Sequence, residues 1–94
     1  MTIEEMRGAL RFSTADMDAE IGRKMAVALA ELGRVGVNAA ADTEPTATLR
    51  DYAQELFCKA EFNFDGRGKD FRQAFESLRD AMKCTSACRE QTDE

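Results

Sequence analysis

Glu61, Asn63, Asp65 and Gly66 stand at the first, third, fifth and sixth places of a calcium-binding loop. Such a loop needs oxygen ligands at that spacing and a glycine for its sharp turn. Its twelfth place requires a bidentate glutamate, and here that place is Arg72, while Gly68 replaces the usual aliphatic residue. A plain interhelical turn is therefore the expectation. Cys84 and Cys88 are four apart and can share one side of a helix, but a zinc site needs about four ligands, and the chain has no histidine and no second cysteine pair. The lack of histidine also removes the commonest general base. Carboxylates are numerous but fall at turn spacing from bases, as Glu20 with Lys24, Glu55 with Lys59 and Arg72 with Glu76, which describes a solvated helix face. The residues thus predict no enzyme, no cofactor and no metal, and a protein that works by contact.

The rest of the chain must position such contacts. Its 94 residues suffice for one modest domain, with 44% hydrophobic and 33% charged residues in a globular balance. Thirteen Lys and Arg against eighteen Asp and Glu give a net charge of −5, and the bases are scattered rather than gathered in a stripe, which disfavours a tight grip on nucleic acid. The longest apolar run, Ala26 to Ala30, is far too short to span a bilayer, and the first residues are acidic where a secretory signal is basic. No membrane association and no export are expected. Three cysteines, an odd number, suggest a reducing cytoplasm, with Cys58 packing as a small hydrophobe.

Apolar spacing and end signals predict an all-α fold, a compact bundle of four helices over about 2–11, 14–32, 44–62 and 68–83, with a frayed C-terminal tail. The domain is 1–83 and the flexible tail 84–94. Thr2 and Glu5 make a capping box, with Ile3, Met6 and Leu10 on one face. Ser13 or Thr14 begins the second helix, Ile21, Met25, Ala28, Leu29 and Leu32 form its stripe, and Gly33 stops it. Val35 and Val37 pin the loop that follows. Thr43, Glu44 and Pro45 start the third helix, whose stripe is Leu49, Tyr52, Ala53, Leu56, Phe57 and Ala60. The turn at 62–68 precedes a fourth stripe of Phe71, Phe75, Leu78 and Met82. Ser77 lies within that helix, not at a helix entry, so the faint likeness of Glu76-Ser77-Leu78 to the Asp-Ser-Leu of acyl carrier proteins is read as structural.

The series Leu10-Arg11, Ser13, Asp18, Glu20-Ile21, Gly33 and Gly36-Val37, then Ala60, Phe62, Phe64-Asp65 and the helix with Phe71, Phe75 and Ser77-Leu78, resembles the small head-tail connector proteins of long-tailed phages. These are also known as DNA-packaging or head-completion proteins. The likeness runs to about Met82. It departs at Asn63-Phe64-Asp65, where the family often has Gly-Tyr-Asp, and at Glu44-Pro45-Thr46-Ala47, where it has Asp-Pro and aliphatic residues. The resemblance implies an adaptor subunit in a homo-oligomeric ring, a dodecamer, beneath the portal protein. Such a ring extends the DNA channel, meets a tail-side stopper or neck protein, and lets DNA pass without specific binding. It implies assembly in the host cytoplasm and residence in the virion at the head–tail interface.

On this reading Arg7, Arg11, Arg23, Lys24 and Arg34 meet Glu4, Glu20, Glu31 and Asp51 of the next subunit. The tail, Cys84, Thr85, Ser86, Ala87, Cys88 and Arg89, is the expected portal-docking segment. Two other functions fit a small helical protein: an anti-repressor-like binding regulator and, matched less well, a helix-turn-helix DNA binder, which needs a recognition helix with exposed Arg, Asn or Gln where the third helix shows mainly Arg50, Asp51, Gln54 and Glu55.

Overall fold

Thr2 accepts a hydrogen bond from the Glu5 amide at 3.1 Å while Glu5 takes the Thr2 amide at 2.8 Å, the reciprocal pair that the sequence predicts. It opens helix α1, Ile3–Ala9, in the computed structural model of the chain, which describes residues 1–39 and 43–85. Helices α2, α3 and α4 follow as Asp18–Arg34, Thr46–Glu61 and Gly68–Cys84, with single 3₁₀ turns at Ala15–Met17 and Phe64–Gly66. Of the described residues 77% are helical and none is in a strand, so the fold is all-α with four helices as expected.

The helix ends differ from expectation for identifiable reasons. Thr14 does cap a helix, but it caps the 3₁₀ turn through the Asp16 amide, so α2 begins only at Asp18. Gly33 does not stop α2. The helix runs on to Arg34, and Gly36 takes the left-handed position, φ 90°, that ends it. Gly36 donates to the Gly33 carbonyl and Val37 to that of Leu32, and the buried Val37 and Leu32 side chains belong to the same core cluster, the usual companion of this cap. Pro45 flanks α3 rather than occupying its first turn, and Thr46 is the first helical residue. At the far end α4 continues through Cys84, where the Thr85 hydroxyl donates to the Ala81 carbonyl at 2.8 Å. Cys84 therefore belongs to the bundle rather than to a tail.

Helix α3 is the inner element, lying against α2 on one side and α4 on the other, while α1 packs on α2. The larger core cluster joins Ala28, Leu32, Val37, Ala53, Leu56, Phe57, Phe75 and Met82, with the Phe57 and Phe75 rings edge to face at 5.1 Å. A smaller cluster of Met6, Leu10, Ile21, Met25 and Cys58 seats α1 against α2 and the buried Cys58 of α3. Two expected core residues lie outside. Tyr52 is 52% exposed because the buried arc of α3 extends toward Gln54 and Cys58, two to six residues further on and roughly 200° or more round the helix. Ile3 is 40% exposed, resting against α2 at Gly22. Gln54 is buried and donates its amide to the Met25 carbonyl at 3.3 Å, and no buried side-chain nitrogen or oxygen among the described residues lacks a partner.

Candidate interaction surfaces

Arg11 ends α1 in an unusual way. Its amide donates to the Gly8 carbonyl and that of Phe12 to Arg7, both at 3.1 Å, so the helix closes on a motif whose left-handed position normally holds glycine. Here Arg11 occupies it, with φ 61°, at a cost of roughly 1 kcal/mol. The exposed guanidinium lies 5.1 Å over the centre of the Phe64 ring and makes no ion pair among the described residues. Phe12 turns inward, edge to face with Phe62 at 5.5 Å.

Phe64 is carried by the turn between α3 and α4, which also bends through left-handed residues, Asn63 at φ 48° and Asp65 at φ 54°. Lys59 sits 4.9 Å from the Phe64 ring and 5.5 Å from Phe71, and Arg67 lies 5.7 Å over Phe71. The Asn63 side-chain oxygen accepts the Gly68 amide at 2.9 Å and so caps α4. A Cβ on Gly68 would come within 2.8 Å of that oxygen and 3.0 Å of the Ala60 carbonyl, so the close approach requires glycine. Of the residues that imitate a calcium loop, Asn63 closes the turn and Asp65 and Gly66 lie within its 3₁₀ segment. Among the described residues no group of three or more His, Cys, Asp or Glu is placed to hold a metal ion.

The N-terminal end of α1 carries both signs of charge, with the Met1 ammonium paired to Asp51 of α3 at 3.2 Å. Glu4 and Glu5 lie exposed in the first turn of α1, and Asp51 of α3 is near enough to Glu5 to oppose its charge. Hydrogen bonds from Thr2 nevertheless hold the Glu5 carboxyl below its ordinary range. Asp51 also accepts from Arg50 at 3.2 Å.

Comparison with protein-family models, with curated proteins and with solved structures finds no match.

The sequence-predicted contact residues fall into distinct settings. Arg7 is engaged within the chain, binding Asp18 through two hydrogen bonds of 2.8 and 2.5 Å that tie α1 to the start of α2. That pairing raises the arginine pKa and holds Asp18 below the usual carboxylate range. Glu20, Arg23, Lys24, Glu31 and Arg34 all lie along one outer face of α2, by their spacing of three, four and seven residues. Glu20 pairs with Arg23, not with Lys24 as expected, and Glu31 pairs with Arg34 at 2.9 Å. Glu31 is also 3.9 Å from Arg79 of α4, and Arg34 is the chief cause of its lowered pKa. The expected Glu55–Lys59 and Arg72–Glu76 pairs are present at 3.7 Å each.

Of the expected docking segment, Cys84 is exposed at the end of α4 and Thr85 caps that helix. Ser86, Ala87, Cys88 and Arg89 lie outside the described residues. Cys58 is fully buried, as expected, and burial first, then nearby Glu61, pushes its thiol up to about 12. It stays protonated and unreactive.

Three features escaped the sequence reading. The cation–aromatic end of Lys59, Phe64, Arg67 and Phe71 depends on the α3–α4 turn folding back, which no local pattern reveals. The Arg7–Asp18 pair spans eleven residues across a helix break. Val27, 43% exposed in the middle of the charged α2 face, had a readable signal: it lies off the stripe of Ile21, Met25, Ala28 and Leu32.

Proposed function

We propose that the chain is a structural adaptor of a tailed-phage head–tail junction, working by contact and without catalysis. In this reading copies join head to tail into a ring beneath the portal, extend the DNA channel and meet the tail-side stopper or neck protein. The observation that carries it is the uneven distribution of exposed charge along α1. Arg11, an exposed cation held over Phe64 in a strained conformation and free of ion pairs among the described residues, lies at one end. Exposed Glu4 and Glu5 lie at the other, about 10 Å away along α1.

Two unlike surfaces on one subunit are what a ring of identical copies requires. An arginine that loses its water on binding is a common anchor in such interfaces, and strain at a non-glycine residue is a recurrent mark of functional positions. Leu10-Arg11 and Phe64-Asp65, both in the series that resembles the connector family, come together at this end. The net charge of −5 also suits a conduit to which DNA should not adhere. Helix α3 offers little to a helix-turn-helix reading, since Gln54 is buried and Arg50 and Asp51 hold each other. Among the described residues no helix is long and apolar enough to cross a membrane.

The test is electron microscopy and native mass measurement of the chain with its portal. The expected result is an added ring at the portal base, lost in Arg11→Glu while helicity is unchanged. A chain that ignores the portal at every concentration would overturn the reading.

A further inference from the structure

The outer face of α2, whose charges the connector resemblance assigns to ring contacts, has an order that a head-to-tail contact does not require. Val27 stands at its centre, exposed. Seven residues before it is Glu20 and seven after it Arg34; four before it is Arg23 and four after it Glu31. Reversing the direction of the helix about Val27 therefore exchanges every acid for a base.

We propose that this face docks on the same face of a second copy of the chain, with the two α2 helices antiparallel about a twofold axis through Val27. In an antiparallel pair each residue faces the one equally far from the axis on the other side. Glu20 then meets Arg34 of the second copy and Arg23 meets its Glu31, and symmetry repeats both contacts. A parallel pair sets every charge against its own kind, so the pattern selects the antiparallel register. The seven-residue spacing of Glu20, Val27 and Arg34 keeps all three on the seam of a pair of helices crossing at a shallow angle. Lys24 falls opposite Ala30, whose methyl group leaves room for the lysine stem.

The surface is open. Val27 is 43% exposed, and the side chains of Arg23 and Arg34 are 67% and 63% exposed in pairs that stay within the helix. From Glu20 to Arg34 the seam runs about 21 Å, a single helix–helix contact, which is small for an interface and describes a reversible dimer seen at high concentration. Such a contact closes on itself and builds no ring, so it goes beyond the adaptor reading and stands or falls separately from it.

Sedimentation and native mass measurement of the full chain over a concentration series test it. The wild type is expected to form dimers and Val27→Lys, which sets two ammonium groups on the axis, to remain monomeric with unchanged helicity. The fourfold reversal Glu20→Arg, Arg23→Glu, Glu31→Arg and Arg34→Glu, made together with Arg79→Gln so that no second cation of α4 faces position 31, keeps the in-helix pairs and the symmetry. It should dimerise with itself yet form mixed dimers with mass-tagged wild type about tenfold less often than chance. A solitary wild type, a dimeric Val27→Lys or random mixing each overturns the proposal. Ring formation on the portal is scored separately with Arg11→Glu, so the two readings fail independently.

Discussion

Arg11 shows how a single residue can trade stability for contact. Its left-handed backbone costs roughly what the ring contact with Phe64 returns, about 0.5–1 kcal/mol. Arg11→Gly is therefore expected to leave the unfolding midpoint in urea nearly unchanged, a shift under about 1 kcal/mol, and the proposed adaptor role predicts that portal binding is lost. Gly68→Ala should behave oppositely, costing about 1–3 kcal/mol, because the added carbon collides with the Asn63 oxygen and the Ala60 carbonyl. The acid limb of stability also belongs here. Asp18, Glu31 and Glu5 all have folded pKa values below their ordinary 3.8, 4.5 and 4.5, through Arg7, Arg34 and Thr2 respectively. Each binds its proton more readily in the unfolded chain, so its contribution is complete above the ordinary value and lost as pH falls through the lowered one. Thermal melts should be flat from pH 7 to about 5 and fall below about 4, with a shallower fall in Asp18→Asn.

At the scale of elements, the chain reads well wherever a local hydrogen bond or apolar period decides the outcome. The Thr2–Glu5 capping box, the stripe through Phe75 and Met82 and the pinning valines were all legible, since each involves residues within one or two turns. Thr2→Ala should lower stability by about 0.5–2 kcal/mol, measured by chemical unfolding. Helix ends were less legible. Gly33 and Gly36 are both plausible stops, and the choice fell to Gly36 because it lets Val37 reach the core beside Leu32. Thr14 had the chemistry of a cap, but its hydroxyl serves a 3₁₀ turn that brings Asp18 to Arg7.

For the whole molecule, surface charge is arranged in two ways: polar along α1, and antisymmetric about Val27 along α2. The first suits a head-to-tail contact and the second a closed pair, so raising salt is expected to weaken both while leaving helicity intact. By itself the sequence determined the helical class, the number of helices, the inner stripes of α2 and α4 and the burial of Cys58, because periodicity and capping act over a few residues. Only the tertiary structure decided that α3 lies innermost with Gln54 buried and Tyr52 outside, that Arg7 binds Asp18, and that Arg11 meets Phe64. Those contacts join residues 11 to 53 positions apart, and their partners are chosen by how the helices pack, which no local pattern encodes.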